Sequence, residues 1–180
     1  MRYYRKMTSD RLYLSPVSIE DTETYLKWMN DGVMARGFAQ YSNLVASKAD
    51  LQWLYEPSSN MHRYAIVLED SDELIGGISI HDIDHRNRHA FIGIFIGEEK
   101  HRSKGYGAEA IRLILDYGFN TLNMHNIMLS VHADNKGGIA CYKKVGFKEA
   151  GRRREWAFKD GQYVDVIYMD ILAREFNMPQ

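Results

Sequence analysis

The sequence predicts a mixed α/β fold: a mostly antiparallel central sheet with helices on both faces. Three observations predict it. Segments 63–69 and 73–83 read as strands separated only by Asp-Ser-Asp, and the tail 154–172 gives two strands around a Lys-Asp-Gly turn, so hairpins dominate. The run HAFIGIFIG, His89 to Gly97, is almost continuously apolar, the pattern of a strand buried on both faces. A glycine-containing loop and a helical pattern then lead to a further strand at 126–133, which makes a crossover rather than a hairpin.

Taken in order, RLYLSPV (11–17) alternates and meets Pro16, as a short first strand does. Ser18 with Asp21 three residues on is a helix-start signal, and Ile19, Leu26 and Met29 recur at helical spacing up to Asn30. Segment 31–46 has no period and reads as an irregular loop. Ser47 with Asp50 starts a second helix that Pro57 stops. The helix after the glycine loop carries an apolar stripe of Ala108, Ile111, Ile114, Leu115, Gly118 and Phe119. Asn135 caps a last, short helix with Ile139, Tyr142 and Val145 on one face, and Gly146 ends it in the left-handed conformation before Phe147. The predicted order is β-α-α-β-β-β-α-β-α-β-β.

Composition narrows the function classes. The 180 residues fit one domain, 1–180, whose 45% apolar content can build a core. With 23 basic and 24 acidic residues the net charge is −1, which speaks against a general nucleic-acid surface but not against a local anion site. The lone Cys141 excludes an internal disulfide and suits a reducing compartment. No apolar run approaches the ~20 residues of a membrane span. A cytoplasmic protein is expected, with neither nucleic acid nor membrane as partner, and a homo-oligomer is compatible with the sequence.

The segment HRSKGYGAEAI (101–111) lies between a strand and a helix. Glycines permit close backbone approach, and a helix N-terminus offers free N–H groups and partial positive charge. Arg102, Lys104 and His101 add cationic character. By itself the segment reads as a loop whose Gly105 and Gly107 only permit the turn into a helix, and it matches neither the P-loop nor the dinucleotide fingerprint.

The second motif, NKGGIACYKKVGF (135–147), changes the balance. Arg102-x-x-Gly105-x-Gly107 followed by Asn135-x-x-Gly138-x-x-x-Tyr142-x-x-x-Gly146-Phe147 resembles the GNAT N-acetyltransferase superfamily. The similarity runs from about Leu12 to the last strand and lies nearest the branch of ribosomal-protein N-terminal and spermidine acetyltransferases. The resemblance implies a splayed parallel pair at 89–97 and 126–133, with the pantetheine arm of acetyl-CoA between them, bonding the backbone near Phe95, Ile96 and Gly97. It implies a pyrophosphate on Arg102, Ser103, Lys104, Gly105, Tyr106 and Gly107. Asn135, Gly138 and Ile139 would line the arm's other side, and Gly138 stands where the family more often has Ala or Ser.

The chemistry so implied is direct acetyl transfer from acetyl-CoA to an amine, with no covalent intermediate, so Cys141 reads as a packing residue. A lysine-like amine titrates near about 10.4 and must lose a proton, and the departing thiolate needs one. Tyr142 matches the family's general acid, although the same position also packs on Phe147 in a helix cap. The general base departs from pattern: where many relatives carry Glu in Ala-Glu-Ile-Gly, this chain has Ala90-Phe91-Ile92-Gly93. His132, Asp134, Glu98, the acids of HDIDH (81–85) and water are the alternatives. The absent carboxylate also suits a non-catalytic acyl-CoA sensor. His81, Asp82, Asp84, His85 and His89 could suggest a metal, but they fall in a hairpin without helical ligand spacing, and no metal site is expected. The acceptor is left open among a polyamine, a protein N-terminus and a small amine. Arg152–Arg154 reads as a solvated basic patch.

Overall fold

A computed structural model describes residues 2–31, 47–56 and 58–176. Its eight strands are β1 (Met7–Thr8), β2 (Leu12–Pro16), β3 (Met61–Leu68), β4 (Leu74–Asp84), β5 (His89–Ile96), β6 (Asn126–His132), β7 (Lys148–Lys159) and β8 (Gln162–Leu172). They form one sheet in the order β1-β2-β3-β4-β5-β6-β8-β7. Every neighbouring pair is antiparallel except β5 and β6. The mixed sheet read from the sequence is therefore present. The β1 strand was not foreseen; its two residues pair with Leu14 and Tyr13, too few to leave a period-2 signal.

Among the described residues, three α-helices accompany the sheet: α1 (Thr22–Asn30), α2 (Tyr106–Asp116) and α3 (Lys136–Val145). The predicted second helix is instead a 3-10 segment, Ala49–Leu54. Its start signal is real, because the Asp50 carboxylate accepts from the Ser47 N–H and hydroxyl at 2.8 and 2.6 Å. Six residues give too few i→i−4 bonds to favour an α-helix over the tighter turn. The stop at Pro57 and the loop at 32–46 lie outside the described residues. Ser18 caps a 3-10 turn, Ile19–Asp21, which leads into α1. The inward face of α1 also differs from the expected one: Ile19 is 71% exposed, and Tyr25 and Trp28 are buried instead. Aliphatic periodicity missed this because the face is aromatic. Tyr25, Trp28 and Phe95 of β5 meet edge-on with ring centroids 5.6–6.2 Å apart.

The main core lies between the sheet and α2. Ile111, Ile114 and Leu115 on the helix and Ile66, Ile75, Ile80, Ala90 and Ile127 on the strands are fully buried. Each isoleucine so buried stabilises by roughly 1.5–3 kcal/mol. A π-turn, Tyr117–Thr121, continues α2, keeping Phe119 of the predicted stripe buried. The end of α3 is a Schellman cap: Gly146 (φ +119) donates to Lys143 O, and Phe147 donates to Tyr142 O at 3.0 Å. In the final hairpin β7 begins at Lys148 rather than 154 and is exposed along most of its length. It is the edge strand and pairs only with β8 among the described residues, which leaves no apolar alternation to read.

One expectation about β5 fails in an informative way. Ala90 and Ile92 are buried, yet Phe91, Gly93, Ile94, Phe95 and Ile96 are only half-buried. The apolar run marks a strand with one packed face and one partly open face.

Candidate active site

The open region follows from how β5 meets β6. Only His89–Asn126, Ala90–Ile127 and Phe91–Met128 pair. Beyond Phe91 the strands part, the splay that the resemblance implied. Gly97 N–H donates to Ile75 O at 2.9 Å, so this is a hydrogen-bonded pair of the β4–β5 ladder. Bonding alternates along an antiparallel ladder. The backbone N–H and C=O of Ile94 and the N–H of Ile96 therefore point away from β4, into the gap, while Ile92 faces the last paired residue of β6 and Ile96 C=O accepts from Arg102.

At the far end of β5 lies the glycine loop. Ser103 (φ +59) and Gly105 (φ +87) both adopt left-handed backbone, which curls the chain into a concave turn ahead of α2. Among the described residues, the N–H groups of Ser103 through Ala108 have no acceptor within the chain. These N–H groups sit at the N-terminus of a buried helix and form a site for an anion with several oxygens.

Two arginines hold this turn in shape. Arg102 donates through Nε to Ile96 O at 3.1 Å and through Nη2 to Gly97 O at 2.7 Å, tying the loop to the strand end. The Arg11 guanidinium, just ahead of β2, donates to Lys104 O at 3.1 Å, donates through Nε and Nη2 to Glu109 Oε2 and lies over the Tyr106 ring, while the Arg11 backbone N–H donates to Glu109 Oε1. The sequence reading missed Arg11 and Glu109, since partners 98 residues apart leave no local signal. His101 also differs from expectation. It is 7% exposed and turned inward, with Nε2 3.1 Å from Glu73, so it does not face the mouth of the loop.

Gly97 is fixed by packing rather than by backbone conformation. A Cβ there would overlap the Trp28 indole, whose Nε1 also donates to Glu98 at 3.2 Å. Gly97→Ala is expected to lower unfolding stability by about 1–3 kcal/mol, measured by denaturant titration, because the ring is held by Tyr25 and Phe95 and cannot step back.

Across the gap, β6 leads to α3. The Asn135 side chain accepts from Gly138 N–H at 2.9 Å, as its predicted capping role requires. A Cβ at position 138 would sit 2.7 Å from that same side chain, so Gly at 138 makes room for the cap. Ile139 is half-buried against the main core. Cys141 lies against Gly107, linking α3 to the loop. Burial pushes its thiol pKa up, which fits packing rather than nucleophilic attack. The Tyr142 ring packs edge-on against Phe147 with centroids 6.1 Å apart. Its hydroxyl has no hydrogen-bond partner among the described residues, and desolvation pushes its pKa up to about 12. It therefore carries its proton at any working pH.

The candidate bases divide clearly. Lys27 and Trp28 both bond Glu98, and its pKa is lowered by them. Asp134 is paired with Lys159 at 2.8 Å and likewise lowered. Asp84 accepts from the Asn87 and Arg86 backbone in its hairpin turn and is also lowered. These carboxylates are engaged elsewhere. Phe91, in place of the family's Glu, stacks on His81 with ring centroids 6.1 Å apart. Among the described residues, no group of three or more His, Cys, Asp or Glu could hold a metal ion. Likewise, no described helix is long and apolar enough to cross a membrane.

The acetyltransferase (GNAT) domain family matches residues 11–148. The chain belongs to this family. It is 34% identical to the spermidine N(1)-acetyltransferase of Vibrio cholerae, over 71% of this chain and 74% of that protein. It is 30% identical to the Escherichia coli spermidine N(1)-acetyltransferase, over 82% and 77%. The solved structure of the Vibrio cholerae spermidine N-acetyltransferase in complex with CoA and spermine superposes with a TM-score of 0.83 at 28% identity, covering 91% of this chain and 96% of that one. This GNAT chain is an N-acetyltransferase that uses acetyl-CoA and an amine acceptor, and a purely sensory role is not favoured.

Proposed function

We propose that the concave turn 102–107 and the β5–β6 gap together hold acetyl-CoA, and that Tyr142 protonates the departing sulfur. The observation that carries this reading is the run of unpaired N–H groups from Ser103 to Ala108, continuous with the open edge of β5. A pyrophosphate takes the N–H groups of Ser103, Lys104, Gly105, Tyr106 and Gly107. Lys104 supplies a nearby cation, and Arg102 acts by fixing the loop to Ile96 and Gly97. The amide-bearing arm then lies along Phe95, Ile96 and Gly97 as an added strand, meeting the backbone groups that face the gap. Asn135, Gly138 and Ile139 form the opposite wall.

Acetyl-CoA supplies a thioester carbonyl. The amine nitrogen bonds to that carbon, the C–S bond breaks, and the sulfur takes the Tyr142 proton. Tyr142 suits this because it is protonated and its hydroxyl has no other bond among the described residues.

For the acceptor we propose the polyamine class, supported by what the Vibrio cholerae and Escherichia coli relatives are named for. A thiol-release assay over a panel of polyamines, peptide α-amines and small monoamines tests both levels. Release above background only with polyamines is expected. Release only with peptide α-amines overturns the acceptor but not the transfer, and release with none overturns the transfer itself.

A further inference from the structure

Phe91 removes the carboxylate that relatives place on this strand, and the structure supplies another group at the same spot. His81 is its partner on β4, in the Phe91↔His81 pair of the ladder, and its ring runs near-parallel to the Phe91 ring with centroids 6.1 Å apart. The next residue, Asp82, has φ +50 and starts a bulge that shifts the register before Asp84. Bulges of this kind re-aim side chains, and left-handed backbone at a non-glycine residue costs energy that function often explains. Here the bulge brings the Asp82 carboxylate back to His81 Nδ1 at 3.1 Å. A carboxylate only accepts, so Nδ1 carries the proton and Nε2 holds the free lone pair.

Nε2 lies over the strand that borders the gap, 3.8 Å from where a Gly93 Cβ would be. Gly93 comes two residues after the point where β5 and β6 part. An extended arm entering from the 102–107 turn ends at that closing point, which places its thioester beside Gly93. The residues paired directly with His81, Met61 on β3 and Phe91 on β5, are uncharged, and the diagonal Arg63 on β3 is engaged by Glu56 O and the Trp53 ring. Its side chain is 27% exposed, so an acceptor can reach it.

We propose that His81, oriented by Asp82, is the general base for the acceptor amine. The inference rests on the acetyl-CoA placement given under Proposed function. Two protons leave the nitrogen as an ammonium becomes an amide. Nε2 accepts them in turn and passes them to solvent; the sulfur receives one from Tyr142, which is replenished from solvent, so one proton is released overall.

His81→Gln is expected to cut turnover by ~10²-fold or more, with CoA affinity by calorimetry and melting temperature little changed. His81→Ala should regain part of its rate when free imidazole is added, which a purely structural role would not allow. Asp82→Asn, at a side chain 69% exposed, should fold normally and lose turnover without losing CoA. Wild-type turnover in His81→Gln or in Asp82→Asn overturns the proposal while leaving acetyl transfer intact. A wild-type protein that binds no CoA overturns the placement beneath it.

Discussion

Tyr142→Phe is expected to lower turnover by ~10²-fold or more while the melting temperature stays near that of the wild type. The ring contact with Phe147 survives this change, and no hydrogen bond among the described residues is lost, because the hydroxyl makes none. What disappears is a proton that the thiolate needs only as the C–S bond breaks. The Michaelis constant for acetyl-CoA should therefore move much less than kcat. Tyr142→Ala separates the two roles. It also removes the ring that packs at the Schellman cap, so it should cost about 3–5 kcal/mol of stability in addition to activity, less whatever the partly buried site recovers by collapse. An active, stable Tyr142→Phe enzyme would assign Tyr142 to packing alone and send the leaving-group proton to water.

Gly105→Glu should weaken acetyl-CoA binding by about 10²-fold or more, as two or more charge-assisted hydrogen bonds are lost. Three effects act together. Position 105 has φ +87, which strains any residue with a Cβ. The new Cβ meets Arg11 Nη2 at 3.3 Å, disturbing the buttress beneath the turn. The carboxylate can itself take the N–H groups proposed for the pyrophosphate. Gly105→Ala carries the first two effects without the third, so the difference between the variants in calorimetry isolates the anion site. Equal CoA affinity in Gly105→Glu and wild type would show that the phosphate sits elsewhere. The turn is exposed and outside the core, so either variant should still unfold cooperatively.

Much of the architecture is legible because it is written in local chemistry. The caps at Asn135 and Gly146 depend on residues within a few positions and form as read, whereas Ser18 caps only a 3-10 turn ahead of α1. The hairpins 61–84 and 148–172 need only turn residues between strands; Asp160 and Gly161, both at positive φ, make the last turn. The stripe of α2 is local too. What failed was where burial depended on distant partners. Ile19 keeps helical spacing but meets solvent, since the pocket beneath α1 is lined by Phe95 and filled by aromatic rings. The second helix shortened to a 3-10 turn despite a working start signal.

The site divides the same way. The sequence by itself determined the glycine turn, the capped α3 with Tyr142 and the absence of a carboxylate at Phe91. Each of these is a residue identity at a fixed spacing, and spacing survives without coordinates. Only the tertiary structure decided which cations serve the loop and how. Arg102 and Arg11 spend their hydrogen bonds on carbonyls and Glu109, and His101 turns to Glu73. It also decided which candidate bases are already committed, through Lys27 and Lys159, and brought His81 onto Phe91 across a strand pair. Ion pairs and cross-strand neighbours join residues far apart in the chain. Their existence depends on sheet register, which no single segment of the sequence encodes.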